Sequence, residues 1–401
     1  WPVVNGRSAC PSSGAAAFST FDFAVSDLDG DGKKEIITGD GFDKYLHVRT
    51  SDGLIFKPLQ TYTWPIYVGT AWPHPAVADL NNDGKKDIVV TVSDANLHRE
   101  VKVFEYTGIP ASWWSQASLP NVQFTDLPGA LADLDRDGFR EIVAIGWDDI
   151  TMQQQLYVFD YTGQIRAGWP QPVTNYGLSS PVVGNLDSDS QLEIVLTAEG
   201  LSRTYSTLYA WNHDGTTMPG YPKFANQPVM TESSPSLGDI DGNGKKDIIT
   251  TLYSSYSVTD LHVFDSQGNQ LPGYPTNNPD LLPRWSNSQP SLIDTDGDGK
   301  LEIFVGVAGK PQGTAYTPPG IFAFKNGALM SGYPLLIQTG SSHIGRGTPT
   351  FGDLDSDGYL EMVLSDNKNY VTVWDTPYQA VPQRMVWSTF QHDEERTGTL
   401  G

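Results

Sequence analysis

The residues best suited to chemistry form a nine-residue acidic stretch, whose positions 1, 3, 5 and 9 are Asp27, Asp29, Asp31 and Glu35. Carboxylate oxygens that alternate along a short loop suit a hard cation, and the glycine at position 6 permits the sharp turn that wraps the backbone around an ion. The β-branched run Ile36–Thr38 follows at once. The stretch therefore predicts a cation-binding loop that opens a β-strand.

This pattern occurs seven times, and we number the copies loop 1 to loop 7 in chain order. Successive loops begin 52 to 59 residues apart, a regularity that indicates a repeat architecture along the whole chain. Carboxylates packed together without a cation repel one another, so ion binding is favoured over an Asp/Gly-rich hairpin turn that holds no ion. The predicted metal ligands are, loop by loop, Asp27, Asp29, Asp31 and Glu35; Asp79, Asn81, Asp83 and Asp87; Asp133, Asp135, Asp137 and Glu141; Asn185, Asp187, Asp189 and Glu193; Asp239, Asp241, Asn243 and Asp247; Asp294, Asp296, Asp298 and Glu302; and Asp353, Asp355, Asp357 and Glu361.

The ligand types identify calcium as the expected ion. An EF-hand requires a bidentate acid at position 12 and a helix behind it, whereas position 12 of loop 1 is Thr38 and a strand follows. Oxygen-only ligands in flexible loops favour Ca²⁺ over Mg²⁺ or Zn²⁺, so we predict up to seven Ca²⁺ ions. Loop 4 (residues 185–193) has Asn185 at position 1 and Ser190 at position 6, and we expect its affinity to be the weakest.

Each repeat of about 50 residues carries four stretches that are typical of strands. A short apolar stretch precedes the loop, and a β-branched run follows it. An alternating stretch such as Leu156–Phe159 comes third, and the fourth begins at a Gly-aromatic-Pro motif such as Gly168–Pro170. Seven such repeats predict an all-β chain in which residues 1–401 form one seven-bladed β-propeller of four-stranded antiparallel blades, with a Ca²⁺-binding hairpin loop in each blade.

The two ends of the chain compete for the last blade, which lacks an obvious fourth strand. The segment Trp1–Asn5 resembles that strand, and we predict that residues 1–5 close the blade; Met385–Phe390 is the competing segment. Residues 385–401 are predicted to form a C-terminal cap. His392 and Asp393, which lie in this segment, would be structural rather than catalytic.

Composition excludes several classes of partner. The net charge of −22 disfavours nucleic acid, whose binding surfaces are basic, and seven divalent cations would offset more than half of that charge. No apolar run approaches the roughly 20 residues of a membrane-spanning helix.

The single cysteine, Cys10, excludes internal disulfides and leaves pairing between chains open. Because the chain starts at Trp1 without an apolar leader, we expect a signal peptide to have been removed already.

The loop pattern D-x-[DN]-x-[DN]-G-x-x-[DE], followed by an apolar strand, resembles the FG-GAP/VCBS repeat family. This propeller type occurs at the N-terminal end of integrin α subunits and in many secreted microbial proteins. The resemblance covers essentially the whole chain. It implies a seven-bladed propeller with Ca²⁺ in the hairpin between the first two strands of each blade, an extracellular setting (secreted or at the cell surface), and roles in adhesion, glycan binding or scaffolding.

If the acidic loops share one face of a propeller, the connections that lead into each first strand lie on the other. Aromatic side chains beside polar ones would offer a sugar ring an apolar surface and fixed hydrogen bonds. Ser179–Ser180 and Glu232–Ser234 belong to the same connections. The residues predicted to contact a ligand on this face are Trp72, His74, Asp126, Trp147, Glu232, Trp285, Asn287, His343 and Arg346.

The sequence therefore predicts a non-enzymatic protein of recognition, adhesion or surface assembly, whose partner is a glycan, an extracellular protein or further copies of the chain. A polysaccharide lyase or glycoside hydrolase that uses the same face is the alternative. A purely structural subunit of an extracellular assembly is the third hypothesis. The catalytic motifs Gly-x-Ser-x-Gly and His-Glu-x-x-His do not occur in the chain.

Overall fold

The computed structural model describes most of the chain outside its N-terminal 22 residues. Its strands and turns include one short 3₁₀ helix, Pro382–Arg384, and no α-helix among the described residues. The all-β prediction is confirmed. In this part of the chain, no helix is long and apolar enough to cross a membrane. The described residues are 23–39, 44–58, 64–69, 74–93, 98–116, 119–125, 129–173, 179–187, 189–199, 206–224, 229–230, 233–254, 258–276, 288–307, 310–312, 315–317, 319–336, 347–365, 371–393 and 396–400.

Within these residues, the strands form seven sheets, numbered here like the loops, and one separate hairpin. Sheet 1 contains β1 (Phe23–Ser26), β2 (Glu35–Gly39), β3 (Tyr45–Arg49) and β4 (Ile66–Tyr67); sheet 2 contains β5 (Ala76–Ala78), β6 (Asp87–Ser93) and β7 (Arg99–Glu105); sheet 3 contains β8 (Val122–Phe124), β9 (Ala130–Ala132), β10 (Glu141–Asp148), β11 (Gln153–Phe159) and β12 (Gln171–Val173). Sheet 5 contains β16 (Val229–Met230), β17 (Ser236–Gly238), β18 (Asp247–Ser254) and β19 (Val258–Phe264).

Sheets 4, 6 and 7 complete the set. Sheet 6 contains β20 (Ser291–Ile293), β21 (Glu302–Val307), β24 (Gly320–Lys325), β25 (Ala328–Leu329) and β26 (Leu335–Leu336), and the hairpin β22 (Lys310–Gln312) and β23 (Ala315–Thr317) is inserted within it. Sheet 7 contains β27 (Thr350–Gly352), β28 (Tyr359–Ser365) and β29 (Val371–Gln379). Sheet 4 contains β13 (Val182–Gly184), β14 (Glu193–Glu199) and β15 (Ser206–Trp211), and the C-terminal β30 (Thr399–Leu400) joins it.

We call the strand that leads into each acidic loop the first strand of its sheet: β1, β5, β9, β13, β17, β20 and β27. Each first strand pairs antiparallel with the strand behind its loop, as predicted. The first strands of sheets 2 to 6 are completely buried. First strands of consecutive sheets contact one another from sheet 1 to sheet 6. They therefore lie side by side, in the order of the sheets.

The hydrophobic core lies between neighbouring sheets rather than within one layer. One cluster joins sheets 1 and 2, the next sheets 2 and 3, and another sheets 3 and 4. The largest joins sheets 4, 5 and 6, and the last joins sheets 6 and 7. Sheets 2 to 6 each pack against two others, so their strands are covered on both faces, which explains the continuous apolar runs behind their loops.

The Gly-aromatic-Pro motifs at Gly168, Gly220 and Gly273 each approach a turn of the following sheet closely. Gly168 adopts φ +87°, and a Cβ at this position would clash with the carbonyl oxygen of Asp214 in the following sheet. The indole Nε1 of Trp169 donates a hydrogen bond of 3.1 Å to the carbonyl of His213. Glycine is required here for both its conformation and its small size, which lets two turns approach closely.

The C-terminal segment, residues 384–393 and 396–400, is called the tail. Its first half pairs with the first strands of sheets 6 and 7. The backbones of Trp387 and Leu292 exchange two hydrogen bonds, of 2.9 and 3.0 Å. The N–H of Phe351 donates to the carbonyl of Ser388 at 2.9 Å. Met385–Phe390 therefore does not extend sheet 7 beyond β29, and residues 1–5 lie outside the described residues.

The second half of the tail reverses direction and pairs with sheets 3 and 4. The N–H of Leu131 donates to the carbonyl of Thr397, and that of Val183 to the carbonyl of Gly398, both at 2.8 Å. Strand β30 runs parallel to β13. The segment treated as a cap in the sequence thus lies against the first strands of four sheets, two on each side of it.

Candidate metal centres and the predicted ligand face

The acid at position 9 of every loop is the best-buried ligand candidate. It is at most 5% exposed in all seven loops, because it lies at or near the start of the second strand and faces the packed interior. One of its carboxylate oxygens accepts the backbone N–H of position 2, at 2.6 to 3.1 Å. This hydrogen bond joins the beginning of the loop to its end.

The acids at positions 1, 3 and 5 are oriented by the backbone of the loop itself. In all loops except loop 4, the position-1 aspartate accepts the N–H of position 6 at 2.7 to 3.2 Å. Gly32, at position 6 of loop 1, has φ +85°, and a Cβ there would contact nothing within 4 Å. The loop therefore selects glycine for its left-handed conformation and not for space.

These contacts bring the acids of one loop together. In loops 1, 3, 4, 5 and 6, three acidic residues offer oxygens that all lie within 4.8 Å of one another. Such a group contains only oxygen donors, which is the ligand type that Ca²⁺ prefers. The donor set therefore fits the ion predicted from the sequence.

Loop 4 differs from the others as its sequence suggested. The side-chain amide of Asn185 donates to the carbonyl of Asp189, so position 1 acts as a donor here. Glu193 is 0% exposed, and its Oε1 has no hydrogen-bond partner among the described residues. A buried carboxylate oxygen without a donor is costly. A cation beside Asp187 and Asp189 would satisfy it.

Burial also disfavours the charge of the position-9 acids. Desolvation, together with the neighbouring aspartates of each loop, raises the pKa of Asp87 and Asp247 to about 7, against the smaller lowering effect of a backbone hydrogen bond. Glu141 and Glu193 are raised to about 7 for the same main reason. A bound cation would stabilise the carboxylate form and oppose both effects.

Two loops already contain a basic side chain. In loop 6, Nζ of Lys325 lies 2.6 Å from Asp296, 2.8 Å from Asp298 and 2.9 Å from Glu302. Burial opposes the charge of this ammonium, but the hydrogen bonds that it donates to the three carboxylates outweigh burial and raise the pKa of Lys325 above its usual range. Sequence reasoning had not identified this residue.

In loop 3, the guanidinium of Arg166 bridges two acids. Nη1 lies 2.5 Å from Glu141, and Nη2 pairs with Asp135. The hydrogen bond with Arg166 holds the pKa of Asp135 below its usual range, against a smaller effect of burial. The sequence contained an indication of this contact, because Arg166 is basic where the corresponding residues of sheets 4 and 5, Met218 and Leu271, are apolar.

Neighbouring loops contact one another. Nε of Arg136 in loop 3 donates to the carbonyl of Ser190 in loop 4 at 3.1 Å. The side-chain amide of Asn82 in loop 2 donates to the carbonyl of Gly138 in loop 3. Loops 2, 3 and 4 therefore form a continuous band on one side of the structure.

Of the nine residues predicted to contact a ligand, His74 and Trp147 lie within the described residues. His74 lines a small cavity between sheets 2 and 3, together with apolar side chains such as Val89 and Ile142. Trp147 is half-buried on β10, opposite Gln154 of β11, and does not line that cavity. The other predicted residues lie outside the described residues: Trp72, Asp126, Glu232, Trp285, Asn287, His343 and Arg346.

The serines that precede the first strands serve packing between sheets. Ser179, Ser180, Ser233 and Ser234 are all buried. The N–H of Ser180 donates to Oγ of Ser234 at 2.9 Å, and Oγ of Ser233 donates to the carbonyl of Ser288 at 2.7 Å. Sheets 4, 5 and 6 are thus connected where the sequence suggested a ligand-facing surface.

His392 and Asp393 stabilise the turn of the tail. The imidazole of His392 packs edge-on against Trp387, with ring centroids 5.1 Å apart, and its Nδ1 lies 3.4 Å from Asp393. Asp393 also accepts the N–H of Thr397 at 2.9 Å. Burial opposes the charge of Asp393, yet these hydrogen bonds hold its pKa below the usual range.

Comparison with known families identifies the repeat. A family model described as an FG-GAP-like repeat matches residues 27–90, a stretch that contains loops 1 and 2. The resemblance predicted from the acidic loops is therefore confirmed. No curated protein matches the chain.

Several solved structures resemble the chain. The SapL1 lectin, in complex with alpha methyl fucoside, is 11% identical, with 79% of this chain and 97% of that chain covered and a TM-score of 0.40. The beta-propeller domain of the Trilobed protease from Pyrococcus furiosus is 12% identical, with 89% and 94% covered and a TM-score of 0.41. Puromycin hydrolase is 10% identical, with 93% and 56% covered and a TM-score of 0.48. At these TM-scores, none of the likenesses decides the fold or the activity of this chain.

Proposed function

We propose that the chain is a calcium-stabilised, seven-bladed β-propeller that works outside the cell in recognition or adhesion, with a glycan or an extracellular protein as its partner. The observation that carries the proposal is the acidic loop present in every sheet, with its last carboxylate buried at the start of the second strand. Seven copies in one chain favour a structural role for the ion, because a catalytic site would need only one.

The position of the tail supports a closed ring of seven blades. The tail pairs with the first strands of sheets 3 and 4 on one side and of sheets 6 and 7 on the other. The guanidinium of Arg396 also lies 5.7 Å from the ring of Phe23 in sheet 1. The simplest arrangement that lets the tail contact first strands so far apart in sequence is one in which those strands surround it. A ring also protects sheet edges that a linear array would expose.

The proposed ion would be held by the side chains of positions 1, 3, 5 and 9. Its charge would neutralise carboxylates that lie close together in the loop. Because the position-9 acid belongs to the second strand, binding of the ion to this acid would also stabilise the hairpin. Loops of this kind suit the high calcium concentrations outside cells, where extracellular modules bind with dissociation constants of roughly 10⁻⁴ to 10⁻³ M. We therefore place the protein in an extracellular setting.

The calcium proposal is tested by thermal unfolding with excess EGTA, with Ca²⁺, and with Mg²⁺ as the control ion. Each site that is saturated at 100 times its dissociation constant stabilises the fold by about 2.7 kcal/mol. We expect EGTA to lower the melting temperature substantially, and Ca²⁺ to restore it where Mg²⁺ does not. An identical melting curve in EGTA and Ca²⁺ would refute calcium stabilisation.

The recognition proposal is tested on glycan arrays and against extracellular proteins. Trp72→Ala and Trp285→Ala are expected to weaken any signal, because aromatic faces stack on sugar rings. Incubation with acidic polysaccharides provides the opposing test. Depolymerisation of these substrates by the chain would favour the glycan-cleaving enzyme over the recognition protein. Binding that both Trp variants retain in full would place the ligand elsewhere.

A further inference from the structure

We infer that loops 3 and 6 carry their own cation, the side chains of Arg166 and Lys325, and that metal ions enter only the other loops. The inference rests on the calcium binding proposed above and assigns which of the seven loops take part. It concerns the same carboxylates that would otherwise bind the ion. Arg166 and Lys325 therefore set the number of ions per chain.

Lys325 occupies the place of a metal in loop 6. Its ammonium has three N–H donors, and three carboxylates, those of Asp296, Asp298 and Glu302, surround it at 2.6 to 2.9 Å. These acids stand at positions 3, 5 and 9, which would supply ligands to Ca²⁺ at about 2.3 to 2.6 Å. An ion and the ammonium cannot share the same oxygens at these distances.

The turn after the third strand explains why Lys325 can reach the loop. In sheets 3 and 5 the residue at this point is Asp160 or Asp265, whose carboxylate accepts backbone N–H groups of its own turn. In sheet 6 the turn is shorter, and Asn326 and Gly327 close it with positive φ angles of 50° and 76°. The side chain at position 325 is therefore not needed to form the turn and points into the acidic loop.

Arg166 reaches loop 3 from a different position in the same kind of turn. It connects Glu141 at position 9 with Asp135 at position 3 and is only 22% exposed. The residue at the corresponding place in sheet 4 is Met218, which is buried in the hydrophobic core. Two separate substitutions in two repeats thus place a positive charge against the last acid of the loop.

Loop 4 shows the contrasting state. Its position-9 acid, Glu193, is completely buried and has an oxygen without a partner among the described residues. In loops 3 and 6, by contrast, a basic side chain from outside the loop lies 2.5 or 2.9 Å from the last acid. The inference therefore rests on the basic side chains that lie against the last acids of loops 3 and 6.

Native mass spectrometry in excess Ca²⁺ counts the ions held by each chain. We expect the wild-type chain to hold five, Lys325→Gln or Arg166→Gln six, and the double variant seven. Lys102→Gln removes an ion pair with Glu100 that is remote from the loops, and it should leave the count unchanged. Lys325→Met replaces the Gln variant if that protein does not fold.

The outcomes separate this inference from the proposed function. An ion count that rises by one with each replaced basic residue supports the inference. It does so even if weak binding at loop 4 lowers the count of every protein by one. Seven ions on the wild-type chain, or equal counts for wild type and variants, would overturn the inference and leave calcium binding intact. If neither the wild-type chain nor any variant holds an ion, both this inference and the proposed calcium binding are overturned.

Discussion

Replacement of Trp387 tests whether the tail is part of the folded core. This side chain is 0% exposed and packs in the cluster that joins sheets 4, 5 and 6, while its backbone pairs with Leu292. A buried Trp→Ala change typically costs about 3 to 5 kcal/mol. Because the indole Nε1 has no hydrogen-bond partner among the described residues, the loss comes from packing alone, and we expect Trp387→Ala to lower the free energy of unfolding by about 4 kcal/mol.

Denaturant unfolding, followed by far-UV circular dichroism at saturating Ca²⁺, measures this loss. Ile150→Ala is the control, because Ile150 is 73% exposed and its truncation should change stability by less than about 0.5 kcal/mol. A loss below about 1 kcal/mol for Trp387→Ala would refute the reasoning, since the tail could then detach without affecting the sheets. Limited proteolysis would identify such a detached tail by early cleavage after residue 380.

Three further predictions concern buried or closely packed residues, and each is measured by denaturant unfolding. Burial lowers the pKa of His262 from 6.5 to about 4, so between these pH values the unfolded chain binds a proton that the folded chain does not. Between pH 6.5 and pH 4, the wild-type chain should therefore lose about 3 kcal/mol more stability than His262→Phe. Parallel stability curves for the two proteins would contradict this. Gly168→Ala should destabilise the fold by about 1 to 3 kcal/mol more than Gly332→Ala. Both glycines have φ near +88°, but of the two positions a Cβ would clash only at Gly168. Equal losses of stability would show that the backbone conformation alone explains the need for glycine. Ser236→Ala removes the 2.6 Å hydrogen bond from Oγ to the carbonyl of Pro290 and should cost about 1 to 2 kcal/mol, whereas an unchanged midpoint would show that water replaces the hydroxyl.

The repeat and its loops were predictable because their determinants are local. Nine consecutive residues contain the acids, the glycine with positive φ and the acid that begins the next strand, so the pattern at Asp27–Glu35 predicts the hairpin without knowledge of any distant residue. The spacing of the loops then predicts seven similar units. Each element that was found in this way depends on contacts within a single repeat.

The parts that sequence reasoning missed depend on contacts between distant segments. Nothing near Trp387 shows that it pairs with Leu292, almost a hundred residues earlier, or that Thr397 accepts a hydrogen bond from Leu131. Arg166 and its loop are closer in sequence, but their contact requires the third strand to return beside the loop. A basic residue at a position that is apolar in other repeats is the one signal that alignment of the repeats provides.

The tail and the acidic loops stabilise the same strands. The tail begins where the N–H of Asp294, position 1 of loop 6, donates to the carbonyl of Arg384 at 2.9 Å. It ends where Nζ of Lys246, in loop 5, donates to the carbonyl of Leu400 at 3.0 Å. Both ends of the tail therefore contact the loop side. The turn at His392 lies toward the residues that precede the first strands, because the N–H of Gln391 donates to Oε1 of Gln289, just before β20, at 2.8 Å. In the proposed propeller the tail fills the centre, so a ligand on the face opposite the loops would contact the tail turn and the surrounding connections rather than enter an open channel.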